Sequence, residues 1–84
     1  MKPKGEQPFS LLGTRPGPFH MEINGNREVF FEGNRGIVGY GEDTIKLSAG
    51  KMLVVFHGRG LHIKCMNQQD VVIHGFLTSI EYIL

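Results

Sequence analysis

Apolar and polar residues alternate through most of this chain, and one short pattern occurs twice. Val54-Val55-Phe56-His57-Gly58 returns seventeen positions later as Val71-Val72-Ile73-His74-Gly75, and Val29-Phe30-Phe31-Glu32-Gly33 is a looser copy upstream. Three apolar residues, a polar one and a glycine suit a short strand closed by a residue free to take positive φ. Because side chains alternate along a strand, aligning the copies assigns faces. First and third positions are bulky and apolar throughout, which predicts a core of Val29, Phe31, Val54, Phe56, Val71 and Ile73. Second and fourth positions mix Phe30, Val55 and Val72 with Glu32, His57 and His74, a second face more apolar than a freely exposed sheet carries.

The same period of two runs along the rest of the chain. Phe19, Met21 and Ile23 alternate with His20 and Glu22, predicting a strand that ends at Asn24-Gly25; Glu28 to Glu32 is the next. Gly33-Asn34-Arg35-Gly36 is short enough for a tight hairpin into Ile37 to Tyr40. Thr44 to Ser48 and the wholly apolar Met52 to Phe56 follow, and Gly58-Arg59-Gly60 is read as a turn into Leu61 to Cys65, with Leu61, Ile63 and Cys65 facing inward. Val71 to Ile73 and Leu77 to Leu84 complete the series, with a bulge or sharp bend at Gly75 between them. These elements predict an all-β fold, an antiparallel meander of about eight short strands curled into a small roll or open barrel. The alternative is a short β-solenoid with one repeat per coil; that architecture needs three stacked repeats, and only two copies here are close.

Residues 1–18 break the pattern. They hold all four prolines and three of the glycines, so they are read as a flexible arm carrying an apolar island of Phe9, Leu11 and Leu12. Residues 19–84 then form a single all-β domain. At 84 residues the chain is small enough to bury only roughly 60% of its unfolded surface. Nine Lys and Arg against eight Asp and Glu give a net charge of +1, which predicts no strong pull toward nucleic acid or anionic lipid. Cys65 is the sole cysteine, Met1 to Gly5 shows no secretory pattern, and no apolar run reaches membrane-helix length, so a soluble cytoplasmic protein is expected.

Reaction chemistry is hard to find in these residues. His57, His62, His74 and Cys65 lack every usual zinc spacing, so strand-end histidines are favoured over a metal site. Alternating with Leu61 and Ile63, Cys65 reads as a small buried hydrophobe rather than a nucleophile. No acid/base pair stands out among the carboxylates, and the glycine turns are followed by strands, not by the helix that a phosphate loop requires. The expectation is therefore no enzyme, with no catalytic, cofactor-binding or metal-ligating residues and no cofactor. The alternative from a different class is a small β-barrel binding single-stranded nucleic acid through Phe30, Tyr40 and Phe56 with Arg27, Arg35 and Arg59.

Read in order, these elements resemble the YabP/YqfC family of sporulation proteins, nearer the YqfC branch. The resemblance lies in Glu32-Gly33-Asn34-Arg35-Gly36-Ile37, then Ile45-Lys46-Leu47, then Val54, Phe56, Gly58, Leu61 and Ile63, and finally Val71, Ile73, Gly75, Ile80 and Tyr82. It covers Glu28 to Tyr82, and the proline-rich segment before Phe19 stands where relatives often carry a basic lead. Such membership implies a non-enzymatic sporulation protein, an interaction or scaffold module in the mother cell of an endospore former, working beside a membrane-anchored sporulation partner.

Three features of the chain itself predict self-association, the first being that no cysteine pair or evident metal site stabilises so small a body. Met52 to Phe56 is apolar on both faces, so leaving Phe30, Val55 and Val72 wet would forfeit several kcal/mol at roughly 1.5 to 3 kcal/mol per side chain. Ile80-Glu81-Tyr82-Ile83-Leu84 is an apolar strand with no charged or proline-bearing tail, an edge open to another chain. The expected interaction residues are Phe30, Val55, Val72, Ile80, Tyr82 and Ile83, and the expected partner is a second copy.

Overall fold

The computed structural model describes residues 19–84, which form six strands and no helix. The expected arm at residues 1–18, with its Phe9, Leu11 and Leu12 island, lies outside the described residues. The strands are β1 (His20–Asn24), β2 (Glu28–Glu32), β3 (Gly36–Tyr40), β4 (Thr44–Ala49), β5 (Met52–Met66) and β6 (Asp70–Ile83). All pairings are antiparallel, in one sheet of order β1-β2-β6-β5-β4-β3. That pairing excludes a solenoid, whose coils stack in parallel.

Six strands replace the expected eight because two apparent breaks are not turns. Gly58-Arg59-Gly60 lies inside β5 and Gly75 inside β6, so each long strand runs through its glycines. The paired register slips there instead, between His57 and Gly58 and between Arg59 and His62. Bulges of this kind bend a ladder without ending it.

The bend folds the sheet onto itself. Phe31 lies opposite Val71, while Phe56 lies opposite Ile80, nine residues further along β6. A straight strand would separate those positions by roughly 30 Å. The Phe31 and Phe56 rings nevertheless meet edge-on with centroids 6.1 Å apart, and Phe19 stacks on both Phe31 (5.0 Å) and Tyr82 (6.3 Å). One layer is thus β1, β2, the first half of β6 and the second half of β5; the other is the remaining halves of β6 and β5 with β4 and β3.

Between the layers lies the core. Val29, Phe31, Val54, Phe56, Val71 and Ile73 are all fully buried, as the aligned copies predict, and Ile45, Leu47, Ala49 and Leu61 join them. Two other expectations need correction. Gly33 to Gly36 is not a hairpin: β2 and β3 never pair, and the segment crosses from one layer to the other. The Gly33 and Asn34 amides donate to Gln69 O, the Arg35 amide donates to Ser48 O, and buried Asn34 accepts the Gly36 amide on Oδ1 at 3.1 Å. Cys65 is exposed rather than buried. A further register slip sets Ile63 opposite Ile73 but Cys65 opposite Val72, which turns the thiol to the outer face.

Candidate functional site

The six expected interaction residues do not form one patch. Phe30 and Val72 are direct cross-strand partners on the outer face of the first layer, both half-buried. Val55 belongs to the other layer, where it lies between Lys46 on β4 and Glu81 on β6 and is only 2% exposed. Neighbouring side chains of its own sheet cover it, since a lysine stem shields apolar surface while its ammonium stays in water. Ile80 packs against the core, Tyr82 is 54% exposed at the sheet's flank, and Ile83 sits opposite Leu53 at 40% exposure. Phe56, one aromatic of the nucleic-acid reading, is fully buried and has no face to offer a base.

Polar side chains gather elsewhere, beside the crease. A cleft of about 690 Å³ is lined by Arg27, Glu28, Arg59, His62, His74 and Phe76, with Asn24 and Gly75 at its margin. Strand register builds it: β2 puts Glu28 directly opposite His74 on β6, and β5 puts His62 opposite His74 on the other side. His74 Nε2 donates to Glu28 Oε2 at 2.8 Å, and Asn24 Nδ2 donates to Glu28 Oε1 at 2.7 Å. His62 Nδ1 donates to Gly60 O at 3.1 Å, and the two imidazoles meet edge-on with centroids 6.0 Å apart. The Arg27 guanidinium lies 4.1 Å above the Phe76 ring, where cation and π-face attract.

Glu28 is the titratable group whose environment moves it. The hydrogen bond from His74, then that from Asn24, holds its carboxyl below the ordinary 4.5. Such a group favours the folded state above its unfolded pKa, and the contribution disappears as pH falls through the lower folded value. Glu28→Gln should therefore flatten the acid side of the stability profile. Urea midpoints measured from pH 6 down to about pH 3 should fall more steeply for the parent than for the variant. Parallel profiles would show that the pair contributes nothing.

A carboxylate that orients an imidazole is part of many nucleophilic sites, but the cleft lining contains no serine, threonine or cysteine to activate. Among the described residues no group of three or more His, Cys, Asp or Glu could hold a metal ion. Two cationic guanidinium groups and a paired carboxylate suit polar contact with another molecule. The matched positions of His57 and His74 in the repeat carry one signal of this arrangement. Each histidine reaches a carboxylate on an adjacent strand, His57 to Glu81 at 3.0 Å and His74 to Glu28. Those partners are 24 and 46 residues away, too far for any local motif to reveal.

No helix among the described residues is long and apolar enough to cross a membrane. A family model described as the YabP family matches residues 17–83. No curated protein and no solved structure matches the chain.

Proposed function

The chain belongs to the YabP family, and on that premise we propose that it is a non-enzymatic interaction module that associates with itself and with a membrane-anchored sporulation protein. Family membership makes it a sporulation-associated protein. The finer reading places it in the cytoplasm of the mother cell, where it joins partners through its sheet.

One observation carries this reading. Much of the apolar surface left outside the core lies along strand edges, at Val38 and Tyr40 on β3 and at Tyr82 and Ile83 on β6, while the cleft beside the crease is lined by charged and polar groups. Strand flanks with apolar side chains join chains by ladder pairing, a recurrent mode of recognition. Removing the gene from its endospore-forming host should reduce the yield of heat-resistant spores. Affinity capture from sporulating cells should retain a membrane protein, and capture should weaken when Tyr82 is replaced by serine. Normal spores from the deletion strain, with no membrane protein retained, would defeat the proposal.

A further inference from the structure

A folded sheet exposes strand flanks wherever one strand outruns its neighbour, and this sheet has four. Three are defended. β1 is five residues long and carries His20 and Glu22, paired at 3.5 Å. β3 is equally short, and its register with β4 slips between Ile37 and Gly39, a bulge that twists the edge away. The second half of β5 is capped by the β3–β4 turn: the Gly58 amide donates to Asp43 O, the Leu61 amide to Glu42 O, and the Ile63 amide reaches Tyr40 Oη at 3.4 Å.

The fourth flank has one such device, the register slip that leaves Thr78 without a β5 partner, and beyond it β6 pairs regularly with β5 from Ser79 to Ile83. β2 pairs with β6 only from Asp70 to His74, and the β1–β2 turn adds bonds from the Gly75 amide to Arg27 O and the Leu77 amide to Asn26 O. Beyond Leu77, β6 keeps its β5 ladder as far as Ile83, yet its other side has no ladder partner among the described residues. β6 contains no lysine, arginine or proline, the residues that usually blunt an edge. Its one acid on this stretch, Glu81, is already held by His57.

We propose that the flank of β6 around Ile80 pairs antiparallel with the same flank of a second copy, Ile80 facing Ile80 across a two-fold axis. This rests on the self-association reading above and gives it a surface and a register. Antiparallel pairing of a strand with itself is isologous, so it closes at two copies. Sequence selects the register. With Ile80 on the axis, Ser79 faces Glu81 of the second copy, and Tyr82 reaches the register slip at Thr78, where the regular ladder ends. Polar then meets polar on the outer face, while an isoleucine already packed on the core meets its own copy. Centring on Glu81 instead opposes two carboxylates, which is destabilising. Centring on Ser79 runs the pairing into the slip at Thr78 and onto Leu77, whose amide already donates to Asn26 O.

Cysteine trapping in a Cys65→Ser background tests both the surface and the register. Ser79 and Glu81 are exposed, so Ser79→Cys and Glu81→Cys leave the core intact, which circular dichroism will verify. Directly opposed residues in an antiparallel pair stand about 4.5 to 5.5 Å apart at Cα, within disulfide range, while positions offset by two stand roughly 7 to 8 Å apart. Under mild oxidation an equimolar mixture of the two variants should cross-link, and either variant alone should not. Light scattering of the parent should report twice the 9.4 kDa monomer mass. A monomeric parent overturns self-association altogether, whether the flank is bare or covered by residues 1–18. A dimeric parent without the mixed cross-link overturns this surface while leaving self-association standing. Cross-linking by Glu81→Cys alone overturns the register.

Discussion

Gly58→Ala should abolish cooperative folding. A Cβ on Gly58 would fall on the carbonyl oxygen of Phe76, within bonding range of a backbone atom that cannot step aside as a side-chain tip can. Relief requires β5 and β6 to separate at the crease, where the two strands carry both layers. Overpacking in a well-packed interior costs about 1 to 3 kcal/mol when side chains yield, and more when backbone must move. A chain of 84 residues has on the order of 4 to 13 kcal/mol in total. Gly75→Ala should rank beside it, because Gly75 takes φ +140 and its Cβ would come within 2.8 Å of Gly60 O and 2.9 Å of the Leu61 Cα. Gly36→Ala is the internal control: nothing lies within 4 Å of its Cβ position and its φ is negative, so its unfolding free energy in urea should stay within about 0.5 kcal/mol of the parent. Equal midpoints for Gly58→Ala and Gly36→Ala would refute the tight crease.

Phe31→Ala should cost about 3 to 5 kcal/mol, enough to populate the unfolded state without denaturant if the domain lies near the lower end of its stability range. The ring is fully buried and joins three parts of the molecule: it stacks on Phe19 with planes 15° apart and meets Phe56 of the opposite layer at 88°. Removing it leaves a cavity between two layers tied together at the crease, so collapse is limited. Phe31→Leu keeps most of the volume and should cost about 1 to 2 kcal/mol. Chemical denaturation of the three proteins measures the order. A loss below about 1 kcal/mol for Phe31→Ala would mean that the layers do not close on that ring.

The repeat that dominates the sequence takes on a meaning in the fold that its spacing alone does not convey. Each good copy supplies two core residues, an outward histidine and a crease glycine, once on β5 and once on β6. Gly58 and Gly75 read locally as strand closers, yet each serves the close approach of a neighbouring backbone within one long hairpin. A glycine followed by a polar residue looks alike in a turn and in a bulge, so in the sequence the break after His57 reads as a turn. The bend at Gly75 was legible because the apolar pattern resumes at once in Leu77 and Ile80. The Glu28–His74 pair was illegible because β2 and β6 meet only after the sheet order is known.

What the sequence determined by itself was the composition of the core and the class of fold. Period-two alternation dictates which side chains share a face, and burial follows from that face being apolar, so all six core residues deduced from the copies are buried. What only tertiary structure decided was which strands are neighbours and where the sheet folds. Strand partners are chosen by long-range pairing, for which Gly33 to Gly36 carries no signal; its amides find Gln69 and Ser48 only once both layers are assembled. Likewise Val55, apolar on the outer face, is covered by its own sheet because Lys46 and Glu81 become its cross-strand neighbours. Cys65 faces outward because one added residue in a ladder reverses every side chain beyond it.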